Sequence, residues 1–86
     1  MKAYVLFNRD TPTERQASDY AGRLNDADVD AELLDADSAR GIQLAENYDI
    51  LGRPAVALMR EDGSPLQIWQ GDELPSITDV SYLAHQ

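Results

Sequence analysis

No cysteine occurs anywhere in this chain, and that absence excludes more chemistry than any residue present establishes. Without a thiol there is no disulfide, no thiolate nucleophile and no sulfur ligand for a metal. Histidine is nearly absent too, since His85, one residue from the end, is the single example. One imidazole does not make a structural zinc site, so no metal and no cofactor is expected. Basic residues are scarce: seven lysines and arginines face sixteen aspartates and glutamates, a formal net charge of −9. That field repels a phosphate backbone, whose binding needs clustered cations, and it repels an anionic bilayer surface. Neither nucleic acid nor membrane is therefore an expected partner. High net charge of this kind speaks first to solubility.

Long apolar runs are missing as well, and nothing approaches the roughly 18–20 residues of a membrane span. The run Ala3-Tyr4-Val5-Leu6-Phe7 is too short for a signal-peptide core and has no small-residue cleavage site behind it. The expected compartment is the cytoplasm. Repeats, low-complexity tracts and linkers are absent, so residues 1–86 are expected to form one domain. A chain of this size buries only about 60–65% of its extended surface, which leaves a modest stability margin.

What is present is a sequence of short, well-punctuated elements. Residues 2–8 are mostly apolar and β-rich, as in a strand buried on both faces. Thr11-Pro12-Thr13-Glu14 then reads as a helix start, with Thr11 as N-cap, Pro12 at the first position and Glu14 closing a capping box. Ala17, Tyr20, Ala21 and Leu24 make one apolar stripe of a helix ending near Asn25-Asp26. Val29 to Leu34 predicts a second strand, with Val29, Ala31 and Leu33 alternating against Asp28, Asp30 and Glu32. A second helix starts at residues 35–38 and runs to Tyr48. Its buried side is expected from Ile42, Ala45, Leu44 and Tyr48, with Gly41 costing roughly 1 kcal/mol against alanine.

Pro54 opens a third strand over Ala55–Met59. Glu61-Asp62-Gly63-Ser64 is a turn of the Asp-Gly type, and Pro65 to Gln70 returns as a fourth strand in an antiparallel hairpin. Strict alternation would place Leu66 and Ile68 on one face of that strand, with Gln67 and Trp69 on the other. Trp69 then belongs either to the core or to a contact surface. Pro75, Ser76 and Asp79 begin a last helix, with Ile77, Val80, Leu83 and Ala84 on its apolar side. Tyr4, Tyr20, Tyr48 and Tyr82 read as packing residues with a polar tip. The acids from Asp26 to Asp37 lack the order of a calcium loop and read as a solvated, charged strand edge.

The element order is β-α-β-α-β-β-α, with both βαβ units expected to pair in parallel and the hairpin adding antiparallel pairing. Leu44 to Pro54 goes further than element order. Ala45, Tyr48, Ile50 and Pro54 resemble the thioredoxin-superfamily stretch in which a helix ends in Ala-x-x-Tyr-x-Ile and a strand opens with a cis-proline. The hairpin from Leu58 to Gly71, with its Asp62-Gly63 turn and closing Gly71, is similar to that family as well. The resemblance implies a thioredoxin-like α/β fold, a four-stranded mixed sheet flanked by helices. It further implies a cis Arg53-Pro54 bond, with the residue before the proline offering its backbone to an extended partner segment.

The same resemblance places the family's Cys-x-x-Cys or Cys-x-x-Ser motif at the first helix start, where this chain reads Asp10-Thr11-Pro12-Thr13-Glu14. Either Asp10 or Thr11 stands in the first cysteine's place, and neither attacks a disulfide. Two uses of the place remain open. Arg9, Thr11, Thr13 and Arg53 could converge on an anion at the helix N-terminus. Alternatively, Thr11 and Glu14 cap the helix while both arginines are solvated, and Asp10 and Glu14 disfavour an anion such as glutathione. The expected function is a redox-inactive, thioredoxin-like domain that binds an unidentified protein or peptide. Its contact surface would comprise Arg9, Asp10, Thr11, Thr13, Arg53, Pro54, Gly71 and Asp72. A glutaredoxin-like domain binding glutathione or another anion is the alternative, and a structural subunit of a larger complex is a third reading.

Overall fold

The computed structural model describes residues 1–52, 54–71 and 74–86. Its elements are β1 (Lys2–Phe7), α1 (Pro12–Asp26), β2 (Asp30–Asp35), α2 (Ala39–Tyr48), β3 (Ala55–Met59), β4 (Pro65–Gln70) and α3 (Ile77–Ala84). The strands form one sheet in the order β2-β1-β3-β4. β1 pairs with β2 in parallel and with β3 antiparallel, and β3 pairs with β4 antiparallel. The second helical connection, through α2, therefore does not build a parallel unit as the sequence pattern suggested. It returns the chain to the far side of β1, where β3 runs the opposite way.

Alternation along the two central strands sorts the apolar side chains to the two faces. Ala3, Val5 and Phe7 of β1 and Val56 and Leu58 of β3 pack with Ala17, Tyr20, Ala21 and Leu24 of α1 and with Val80 of α3. On the other face, Leu6, Ala55, Ala57 and Met59 meet Ile50, Leu34 and the Leu44, Ala45 and Tyr48 side of α2. The expected alternation fails in β4, and the ladder shows why. Leu58 pairs with Gln67 but Met59 pairs with Pro65, so Leu66 is an extra, unpaired residue. A bulge of this kind puts two successive side chains on one side. Leu66 accordingly joins Trp69 on the α1/α3 face, while Ile68 packs on the α2 face. Trp69 is half-buried at the core margin.

Three further expectations change for local reasons. The buried stripe of α2 is Gly41, Leu44, Ala45 and Tyr48, at i, i+3, i+4 and i+7, which turns Ile42 outward at 45% exposure. Leu33 is 39% exposed because β2 lies at the edge of the sheet. Tyr82 is also exposed, on the outer side of α3. Along β2, Asn25 uses its amide as a partial strand, accepting from the Ala31 N–H at 3.1 Å and donating to its carbonyl at 3.3 Å. Glu32 is paired with Lys2 and Arg40.

The ends of the helices are closed by specific bonds. Ser38 caps α2 by accepting from Gly41 N–H at 3.1 Å, and Ser76 caps α3 by accepting from Asp79 N–H at the same distance. At the far end of α2, Asp49 adopts a left-handed conformation (φ 54°, ψ 44°), and Ile50 donates to the Ala45 carbonyl at 2.9 Å. That closure gives the Ala45-x-x-Tyr48-x-Ile50 spacing a physical meaning: it stops the helix and drives Ile50 into the core. Tyr20 donates to the Pro75 carbonyl at 2.8 Å, fastening the approach to α3 onto α1. His85 Nε2 lies 2.9 Å from the Asp28 carbonyl and ties the end of α3 to the turn before β2.

Gly41 is required by proximity rather than by conformation. A Cβ at this position would sit 2.1 Å from the Asp35 carbonyl oxygen. Gly41→Ala should therefore destabilise the fold by about 1–3 kcal/mol, although helix propensity alone predicts a gain of roughly 1 kcal/mol. Urea denaturation decides between the two signs. Tyr20 offers a pH test. Burial pushes its hydroxyl up to about 12, with the Asp79 carboxylate adding to the effect. The unfolded chain ionises this tyrosine near pH 10 while the folded chain holds it neutral, so its stabilising contribution is complete below pH 10 and lost as pH rises toward 12. Tyr20→Phe should cost about 1 kcal/mol at pH 7 and flatten the alkaline fall in the urea midpoint.

Candidate functional site

The pairing register decides which loops meet. Phe7 ends β1 beside Asp35 of β2, Leu6 pairs with Ala55 at the start of β3, and Ala55 pairs with Gln70 at the end of β4. The loop after β1, the entry to β3 and the exit from β4 therefore lie at one end of the sheet. Asp10, Thr11, Thr13, Pro54 and Gly71 all belong to that end. Arg53 and Asp72 lie outside the described residues, as does the state of the Arg53-Pro54 bond.

The start of α1 is organised differently from a capping box. Thr11 holds the N-cap position with extended backbone, yet its side chain makes no cap hydrogen bond. Its hydroxyl instead donates back to the Asn8 carbonyl at 2.6 Å and meets the hydroxyl of Thr13. The first turn closes through the backbone, with Glu14 N–H donating to the Thr11 carbonyl at 3.0 Å. Asp10, the residue before the cap, takes a left-handed φ of 60°. Thr11 thus fastens the β1–α1 loop rather than its own helix.

Arg9 lies largely in solvent and reaches one carboxylate. Its guanidinium lies 3.0 Å from the Asp35 carboxylate at the end of β2. β2 flanks β1 on the side away from β3, so this ion pair draws Arg9 toward β2 while Pro54 leads into β3. The structure brings Thr11 and Thr13 into contact and turns the exposed Arg9 toward β2.

Two residues of this end carry no motif signal and emerge only from the geometry. Gln70, the last residue of β4, accepts through one side-chain oxygen from Leu51 N–H at 2.7 Å and from Gly52 N–H at 2.8 Å. Leu51 itself is 88% exposed, the most exposed of the large apolar side chains. A Cβ on Gly52 would approach Gly71 N to 3.0 Å, and Gly71 has a φ of 120°, so two glycines let the α2–β3 loop and the β4 exit close on each other. Pro54 next along is buried. The sequence signal was a leucine stranded between the helix stop at Ile50 and a glycine; its exposure depends on the loop path.

This site has a recognisable setting. The chain is similar in structure to thioredoxin 1 from the thermophilic eubacterium Thermosipho africanus TCF52B, with a TM-score of 0.65 and 14% sequence identity, over 95% of this chain and 88% of that one. The fold is thioredoxin-like. No family model matches the sequence, and no curated protein does. With the fold established and no cysteine in the chain, the start of α1 holds hydroxyls and carboxylates, and a mixed disulfide with a substrate is chemically excluded. Among the described residues, no three acids or histidines gather as a metal site, and no helix is long and apolar enough to cross a membrane.

The Gln70 clamp generates a direct test. Gln70→Ala should speed amide exchange at Leu51 and Gly52 and cost about 0.5–1.5 kcal/mol, whereas Gln70→Glu, which keeps an acceptor, should protect both amides. Hydrogen exchange followed by NMR reads the difference.

Proposed function

We propose that this protein is a redox-inactive thioredoxin-like domain that binds a protein or peptide through the sheet end carrying Asp10, Thr11, Thr13, Leu51, Pro54 and Gly71. The observation that carries this reading is Leu51. An apolar side chain almost wholly in water is held on a loop whose backbone Gln70 fixes from the neighbouring strand. Holding such an anchor in place before binding removes part of the ordering cost of association. Arg53 and Asp72, next to Pro54 and Gly71 in sequence, belong to the same proposed surface. An extended partner segment beside Pro54 fits the resemblance, and the charge of −9 favours a partner face without acidic clusters.

Binding of glutathione or a simple anion at the same place has less support. The Thr11 hydroxyl is committed to Asn8, Arg9 is paired with Asp35, and Asp10 and Glu14 add negative charge.

A photo-crosslinking residue placed at Thr11 or at Leu51 should capture the same partner, and excess unmodified protein should compete it away. The same group at Gly63, in the opposite hairpin, should not capture it. Identical capture from all three positions would contradict the proposed surface. In parallel, glutathione and phosphate titrations should leave the amides of Thr11, Thr13 and Gly71 unshifted. A disulfide-reduction assay should read no activity above buffer.

A further inference from the structure

The sheet is covered unequally, by two helices on one face and by α2 alone on the other. At the end where Lys2 pairs with Met59, opposite the surface just described, α2 leaves a groove of about 570 Å³ floored by Tyr4, Leu34, Leu44 and Met59. Ligand pockets commonly fall in the range of about 300–1,000 Å³.

Its charge departs from the rest of the molecule. Lys2, Arg40 and Arg60 line it, three of the chain's seven basic residues, against the two acids Asp30 and Glu61. Lys2 Nζ and Arg40 Cζ lie 5.7 and 5.5 Å from the centre of the Tyr4 ring, and Arg40 donates to the Tyr4 hydroxyl at 3.2 Å. Both cations also reach one carboxylate, that of Glu32, at 3.4 Å from Lys2 and 3.5 Å from Arg40. These are long, solvent-exposed pairs, and such pairs exchange readily. A guanidinium also offers a planar fork suited to a carboxylate.

We propose that this groove binds a small carboxylate with an apolar body. The ligand's anion takes the seat of Glu32 between Lys2 and Arg40, and its apolar part lies on Leu44 and Met59. Glu32 is then an internal competitor, so removing its charge strengthens binding while removing either cation weakens it. The site is separate from the proposed partner surface, and either assignment can fail without the other.

The test is an NMR titration of the isotope-labelled protein with 4-phenylbutyrate and with 4-phenylbutylamine at low ionic strength. Phenylbutyrate should give saturable shifts at Tyr4, Leu44 and Tyr48 and none at Thr11 or Gly71. Arg40→Gln and Lys2→Gln should each weaken it about fivefold, the size of one exposed charge contact, and Glu32→Gln should tighten it by a similar factor. All three side chains are at the surface, and unchanged spectra elsewhere would show that the variants fold. Absence of saturation, equal binding of the amine, or weaker binding by Glu32→Gln would each overturn the proposal. An unchanged affinity in Glu32→Gln would overturn it as well, because the seat would then be elsewhere.

Discussion

The antiparallel pairing of β1 with β3 is the constraint on which the rest of the structure depends. Val5 stands opposite Val56 and Leu6 opposite Ala55, so the side chains facing α1 and α3 on one strand match those on the other. A slip of one residue would turn Val56 and Leu58 toward α2 and send Ala55 and Ala57 into the larger core, which alanine cannot fill. Burial thus fixes the register, and the register fixes both ends of the sheet. One end receives the β1–α1 loop, Pro54 and Gly71; the other receives Lys2, Met59 and the hairpin at Gly63.

Much of this was legible in the residues. Helix starts are written in short-range chemistry, as in Ser38 and Ser76 capping α2 and α3. The hairpin was equally plain from Asp62-Gly63. What escaped was anything set by contacts distant in sequence. The direction of β3 follows from where α2 packs, and no local pattern encodes it. The bulge at Leu66 inserts one residue that the apolar alternation cannot reveal, and it moves Leu66 to the opposite face. Gly41 looked like a weak point of a helix, but the Asp35 carbonyl leaves no space for a Cβ.

The candidate site rests partly on spacing and partly on resemblance, and the geometry adds local partners that neither supplies. Thr11 occupies the N-cap position of α1 as expected, yet its hydroxyl binds Asn8 within the loop; Arg9 stays largely in solvent and reaches Asp35 from there. The partner of the Thr11 hydroxyl is a choice among several local groups that a sequence leaves open. Gln70 and Leu51 were missed because a clamp between β4 and the α2–β3 loop exists only once the sheet is assembled. The start of α1 carries hydroxyls and carboxylates at the same sheet end as the loop that holds the exposed Leu51.

The central claim is that the β1–α1 loop, the entry to β3 and the exit from β4 form one surface. A chain without cysteine allows that claim to be measured cleanly, because Thr11→Cys creates a unique attachment point for a nitroxide. Five residues of strand at roughly 3.3 Å each separate Ala55 from the hairpin end. The label should therefore broaden the amides of Gly52, Ala55 and Gly71 more strongly than those of Asp62 and Gly63. Broadening at the hairpin as strong as at Ala55, or sharp signals at both Ala55 and Gly71, would contradict the account.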